Sequence, residues 1–192
     1  MKATALWQHI WNDQAPARGL EQLRLDGRQA DASMLAFDEG GEPYRLVYRM
    51  DFDERWRPRR CHIRVEGGFG VRELHLRRNP RNEWRDGPGN RLRTLDGCQD
   101  LDLWPTPFTN SPAAWRLGLA HDQREEIAVV FIEAPTLEVR VMHQAYTRLD
   151  ARHLLYQNLD GSGFHAVLRL AADGLVEDYP GLFQRLRRAP PC

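Results

Sequence analysis

Cysteine is scarce: Cys61, Cys98 and Cys192 are odd in number, far apart and without a C-x-x-C pair. That argues against a disulfide framework or a cysteine-based zinc site and fits a reducing compartment. Lysine is almost missing, Lys2 being the single one, and the 27 basic and 27 acidic side chains cancel. Like charges gather only at residues 57–60 and 185–188, each run broken by one neutral residue. A nucleic-acid binder needs a basic stripe to neutralise phosphates, so no nucleic-acid partner is expected. Long apolar runs are missing as well, none approaching the ~18 residues of a membrane span. The opening MKATALWQHIW has neither the apolar h-region nor the cleavage site of a secretory signal. The expectation is a cytoplasmic protein with no transmembrane segment.

Familiar catalytic spacings are lacking too. His9, His62, His75, His121, His143, His153 and His165 contain no H-x-x-x-H or H-E-x-x-H, so no metal centre is expected. Gly67-Gly68-Phe69-Gly70 precedes a strand and has no lysine, so it reads as a hairpin turn rather than a phosphate loop. Gly161-Ser162-Gly163 is not a G-x-S-x-G elbow, and no nucleophile with a base can be read from spacing. No catalytic residue and no cofactor are assigned.

What is abundant is turn chemistry and alternation. Glu39-Gly40-Gly41, Asn79-Pro80, Gly87-Pro88-Gly89-Asn90, Asp96-Gly97, Asp160-Gly161 and Asp173-Gly174 punctuate the chain at short intervals. Between them, apolar residues recur at every second position: Cys61, Ile63, Val65; Leu74, Leu76; Val139, Val141; and Phe164, Ala166, Leu168, Leu170. Ile127–Ile132 is continuously apolar and predicts a central strand buried on both faces. This is an all-β pattern of many short, mainly antiparallel strands, which a roll or barrel protects from exposed edges. The 192 residues suit a single domain, residues 1–192, large enough to bury a core.

The segment DLDLWPTPFTNSPAAWRLGL, Asp100–Leu119, departs from that rhythm. Asp100, Leu101, Asp102 and Leu103 alternate, which puts both carboxylates on one strand face and both leucines on the other. Pro105 and Pro107 stop the strand. Ser111 before Pro112 reads as an N-cap followed by a proline at the first helical position, predicting a helix over Pro112–Leu119. A second helical turn is allowed at Gly181–Arg188.

These residues resemble a signature of the bacterial glycolipid-binding family: Asp100 and Asp102, Thr106-Pro107, Thr109-Asn110, Pro112, Arg116-Leu117, then Gln144 and Tyr146. The likeness extends to Trp56 with Arg59 or Arg60, to Gly174-Leu175-Val176 and to Tyr179-Pro180-Gly181. Where the family reads L-P-I-R-R-L at its helix, this chain keeps one arginine, Arg116. The resemblance implies a spiral β-roll, a many-stranded sheet wrapped around a single α-helix. It also implies a homodimer and a glycolipid or other amphiphile as ligand.

Each candidate has a structural reading beside the functional one. Asp100 and Asp102, roughly 7 Å apart along a strand, suit either paired carboxylate chemistry or the fixing of a turn through Arg116, Arg148 or backbone N–H groups. Thr106, Thr109 and Asn110 suit turn hydrogen bonds or ligand contact. Gln144, Tyr146 and Arg148 project from one strand face, with Arg140 behind them, as a head-group wall or a wetted outer surface. Trp56, Trp84, Trp104 and Tyr179 are stacking platforms or core. The ligand-binding set is therefore Trp56, Asp100, Asp102, Thr106, Asn110, Arg116, Gln144, Tyr146, Arg148 and Tyr179. The leading expectation is a non-enzymatic amphiphile-binding protein with an apolar groove and a polar head-group region. The alternatives are a small hydrolase or isomerase using Asp100 or Asp102, and a homodimeric interaction module.

Overall fold

A computed structural model describes residues 1–10 and 18–186; Cys192 and the end of the 181–188 helical expectation lie outside them. The described chain forms fourteen strands and one α-helix. The first seven strands are β1 Lys2–His9, β2 Gly19–Asp26, β3 Gln29–Phe37, β4 Pro43–Phe52, β5 Pro58–Gly67, β6 Gly70–Arg78 and β7 Trp84–Arg85. A short 3₁₀ turn at Arg93–Leu95 leads to β8 Asp100–Trp104 and helix α1 Asn110–Leu117. Then follow β9 Arg124–Glu133, β10 Glu138–Arg148, β11 His153–Asn158, β12 His165–Leu170, β13 Val176–Tyr179 and β14 Phe183–Arg185. No helix among them is long and apolar enough to cross a membrane.

All fourteen strands belong to one sheet, ordered β7-β6-β5-β4-β3-β2-β1-β14-β13-β12-β11-β10-β9-β8. Every strand-to-strand pairing is antiparallel except β8 with β9, which is parallel because helix α1 carries the chain back to the same end. The first and last strands pair in the middle, Trp7 opposite Arg185, while β7 and β8 are the two ends of the sheet.

The sheet rolls so that its β8 end tucks inside the curve of β1–β6. Leu101 and Leu103 of β8 and Val130 and Ile132 of β9 join Trp7, Leu23, Leu25, Leu46 and Ile63 in one buried core. The helix lies over the other half, where Ala113 and Ala114 pack with Tyr146, Leu154, Leu168, Val176 and Phe183. The all-β class and the sheet wrapped on one helix therefore hold. Alternation sets which side chains enter the roll: Cys61, Ile63 and Val65 are at most 2% exposed, with polar residues between them facing outward.

Three local expectations change. The helix begins at Asn110, with Thr109 at the N-cap and no side-chain cap bond, and ends where Gly118 takes a left-handed conformation at φ 54°. Ser111 sits inside the helix and its Oγ accepts from the Val176 backbone N–H at 3.2 Å. Residues 183–185 form β14 instead of helix, because a tertiary partner, β1, offers them a ladder. Strand β9 is buried on both faces over Val129–Ile132, yet it is next to the end of the sheet; the roll, not a central position, covers it.

Candidate functional site

The two prolines around Thr106 turn the chain sharply off β8 and aim three polar side chains inward. The Thr106 hydroxyl accepts from the Phe108 N–H at 3.1 Å and donates to Glu21 Oε1 at 2.8 Å. Thr109 does not cap the helix; its hydroxyl donates to Asp102 Oδ1 at 2.7 Å. Asp102 Oδ2 accepts from Gln144 Nε2 at 2.6 Å. Asn110 Oδ1 accepts from the Tyr146 hydroxyl at 2.9 Å. The Asn110 amide N–H then has only a long 3.5 Å bond to the Pro107 carbonyl. Asp102, Thr109, Asn110, Gln144 and Tyr146, scattered over more than forty positions, thus form one hydrogen-bonded floor, with Thr106 beside it tied to Glu21.

Above that floor opens a cavity of about 360 Å³. Its walls are Trp104, Phe131, Met142, Tyr156, Phe164, Tyr179, Leu182 and Phe183, and Asp102, Thr106 and Asn110 face into it. Glu133, Arg140, Asn158, Asp160 and Ser162 complete its lining. The aromatic rings brace one another at near-perpendicular angles: Tyr156 on Tyr146 at 5.5 Å, Tyr179 on Phe183 at 5.7 Å, and Trp104 on Phe183 at 5.8 Å.

Burial pushes the Asp102 carboxyl above its ordinary range, and the hydrogen bonds from Thr109 and Gln144 pull it only partway back. No ion pair reaches it among the described residues. Its two donors are neutral, and each carboxylate oxygen retains a second lone pair for a hydroxyl in the cavity.

The remaining candidates divide. Tyr179 is in the cavity wall. Gln144 and Tyr146, each 1% exposed, sit behind the floor and orient Asp102 and Asn110, so their strand face is neither a wet surface nor a direct contact wall. Asp100 and Arg116 do not line the cavity; they form a fork-to-fork pair, Arg116 Nε to Oδ1 at 2.7 Å and Nη2 to Oδ2 at 2.6 Å. That pair ties the last turn of the helix to the start of β8. Trp56, at φ 62°, packs against Trp115 with centroids 4.4 Å apart and planes tilted by 52°, and lies under the Arg28 guanidinium at 3.9 Å, outside the cavity. Arg148 is half-buried at the far end of β10 and feels the charge of Asp150. The two carboxylates of β8 therefore do not converge on one substrate-sized space.

One residue escaped the sequence reading. Glu21, fully buried, accepts from the Tyr48 hydroxyl at 2.7 Å and from Thr106 on the same oxygen, while Oε2 is covered and unpartnered. Burial pushes its carboxyl up to about 7 against the opposing pull of Tyr48 and Thr106. Its phase with Leu23 and Leu25 was the available signal: a glutamate at an inward position of an alternating strand.

A family model described as "Putative glycolipid-binding" matches residues 8–185. A crystal structure of a DUF1089 family protein from Pseudomonas aeruginosa is similar to this chain at 52% identity and a TM-score of 0.87, over 92% of this chain and 96% of that one. No curated protein matches.

Proposed function

The chain belongs to the "Putative glycolipid-binding" family, and from that premise we propose that it holds an amphiphile, with a glycolipid as the leading case, without transforming it. The carrying observation is the composition of the cavity: aromatic and apolar walls over a floor of Asp102, Thr106 and Asn110. A sugar ring has an apolar C–H face suited to aromatic walls and hydroxyls suited to a carboxylate and an amide. Half of the sixteen lining residues are polar, set among aromatic and apolar side chains, and polar groups converging in an apolar concavity are what a small-molecule site needs. At about 360 Å³, the cavity is near the lower end of the ~300–1,000 Å³ range of ligand sites. It suits a head group with the chain leaving past Phe164, a residue 40% exposed. The head-group residues in this reading are Asp102, Asn110 and Thr106, with Gln144 and Tyr146 holding them.

Tryptophan fluorescence of the untagged protein titrated with octyl glucoside below its critical micelle concentration tests this. A saturable change is expected, weakened in Asn110→Ala and absent in a Phe164→Ala, Tyr179→Ala double variant, both of which keep Trp104 as the reporter; octanol and glucose separately bind more weakly. A flat titration, together with no amphiphile on the protein in native mass spectrometry, sinks the reading. The family resemblance also supports a homodimer, and sedimentation at micromolar concentration showing only monomer removes that part.

A further inference from the structure

The hairpin of β5 and β6 gives its inner face, Cys61, Ile63, Val65 and Leu76, to the core. On its outer face the register sets His62 directly opposite His75, with Glu73 two positions before His75 on the same face. The two imidazoles stack with centroids 4.0 Å apart and planes 12° from parallel, so one of these solvent-facing rings must turn about its χ2 for both in-plane Nε2 lone pairs to meet one ion. Glu73 Oε2 lies 3.9 Å from His62 Nε2 and 3.7 Å from His75 Nε2. Those separations are too long for hydrogen bonds, so the three atoms border a gap. One ligand atom from each residue lies within 4.8 Å of the others. A Zn²⁺ ion sits about 2.0–2.2 Å from imidazole nitrogen and carboxylate oxygen, which keeps its ligands roughly 3–4 Å apart.

Two further observations separate this cluster from a plain wetted strand face. The Nε2 atom of His62 is covered and has no hydrogen-bond partner, although the side chain as a whole is 45% exposed. Glu73 is also pre-oriented: Arg64 Nη1 donates to its Oε1 at 3.1 Å, leaving Oε2 toward the histidines. By contrast, His153 Nδ1 is in direct contact with the Asp150 carboxylate at 2.8 Å, an ion-pair geometry with no room for a metal.

We propose that His62, His75 and Glu73 form a binding site for a borderline divalent transition metal such as Zn²⁺, open on its outer side to water or a ligand from another molecule. Two imidazoles and one carboxylate match the donors that Zn²⁺, Ni²⁺ and Cu²⁺ take, whereas Mg²⁺ and Ca²⁺ demand oxygen. Spacing along the chain hides the site, because the two histidines are thirteen residues apart and meet only through the hairpin.

The test is calorimetric titration of the untagged, chelator-treated protein with zinc chloride, with Co²⁺ absorption as a direct readout of coordination. One equivalent bound, with affinity falling at least about tenfold in His75→Ala and in Glu73→Gln, supports the site. His153→Ala is expected to leave it unchanged. Because all three side chains face solvent, the variants keep the wild-type far-ultraviolet circular dichroism; metal raises the thermal midpoint of the wild type and not of His75→Ala. No uptake up to millimolar zinc, uptake unaffected by His75→Ala, or equal uptake of Mg²⁺ overturns the proposal.

Discussion

Asp100 and Asp102 stand two residues apart on one face of β8, yet they live in different chemical worlds. Asp100 faces the end of helix α1, where Arg116 grips both of its oxygens and Arg78 and Arg57 add positive charge from farther away. Asp102 faces the aromatic cavity and is held only by the neutral donors Thr109 and Gln144. Burial pushes both carboxyls above their ordinary range, and only at Asp100 do cations oppose it. A charge-paired carboxylate is spent on holding two elements together. One satisfied by neutral groups keeps capacity for a guest, so in the proposed reading the half of β8 toward Trp104 serves the ligand and the half toward Arg116 is scaffold.

That contrast can be broken most directly at Arg116. Arg116→Ala leaves Asp100, 3% exposed, without its partner and is expected to cost about 3 kcal/mol, the low end for a broken buried pair because the acid can take up a proton. The urea midpoint measures this, and a loss under about 1 kcal/mol would mean that the pair holds nothing.

Glu21 sharpens the cavity side of the comparison through pH. Its folded pKa, about 7, lies above the ordinary 4.5, so the folded state binds the proton more tightly than the unfolded chain does. Its contribution is therefore fully present below pH 4.5 and is lost as pH rises through about 7. The difference corresponds to about 3 kcal/mol. Glu21→Gln is expected to flatten this part of the stability profile and to be the more stable protein at pH 8; parallel profiles for the two proteins would contradict the burial argument.

A smaller effect probes the scaffold side. Gly174 has φ +75°, and a Cβ there would collide with the indole nitrogen of Trp115, whose ring packs at a tilt against Trp56. Gly174→Ala is expected to cost about 2 kcal/mol from backbone strain and displaced helix packing, read as a lowered thermal midpoint with unchanged octyl glucoside binding in the surviving folded fraction. Smallest in stability is Asp102→Asn, expected within about 1 kcal/mol of wild type because no cation loses its partner. It is the one of the four expected to weaken octyl glucoside binding strongly, by about tenfold; equal binding would put the functional weight elsewhere in the cavity.

Much of this was legible in the chain. Alternation in Cys61-Ile63-Val65 and Ala166-Leu168-Leu170 identified both strands and inward faces, whereas Phe164, expected as the first member of the second run, precedes β12 and lines the cavity; Asp100-Leu101-Asp102-Leu103 put the two carboxylates opposite the two leucines, as the core requires. Four of the ten site candidates, Asp102, Thr106, Asn110 and Tyr179, line the cavity, and Gln144 and Tyr146 support it from behind. What failed did so for local rules with stronger tertiary rivals. Thr109 and Ser111 are both good capping residues, but Asp102 and the Val176 N–H claimed their hydroxyls. Phe131 and Met142 gave no hint of lining a cavity, since apolar residues on a strand read as core wherever they fall.

The amino-acid sequence by itself determined the all-β class, the inward faces of its alternating strands and, to within two residues, the place of the helix, because the two-residue period and proline and glycine chemistry act within a few residues of where they occur. Only the tertiary structure decided which carboxylate meets an arginine, which aromatic rings enclose space, and that His62 meets His75. Those outcomes depend on strand register and on how tightly the sheet rolls, and both bring together residues whose separation along the chain carries no record of the meeting.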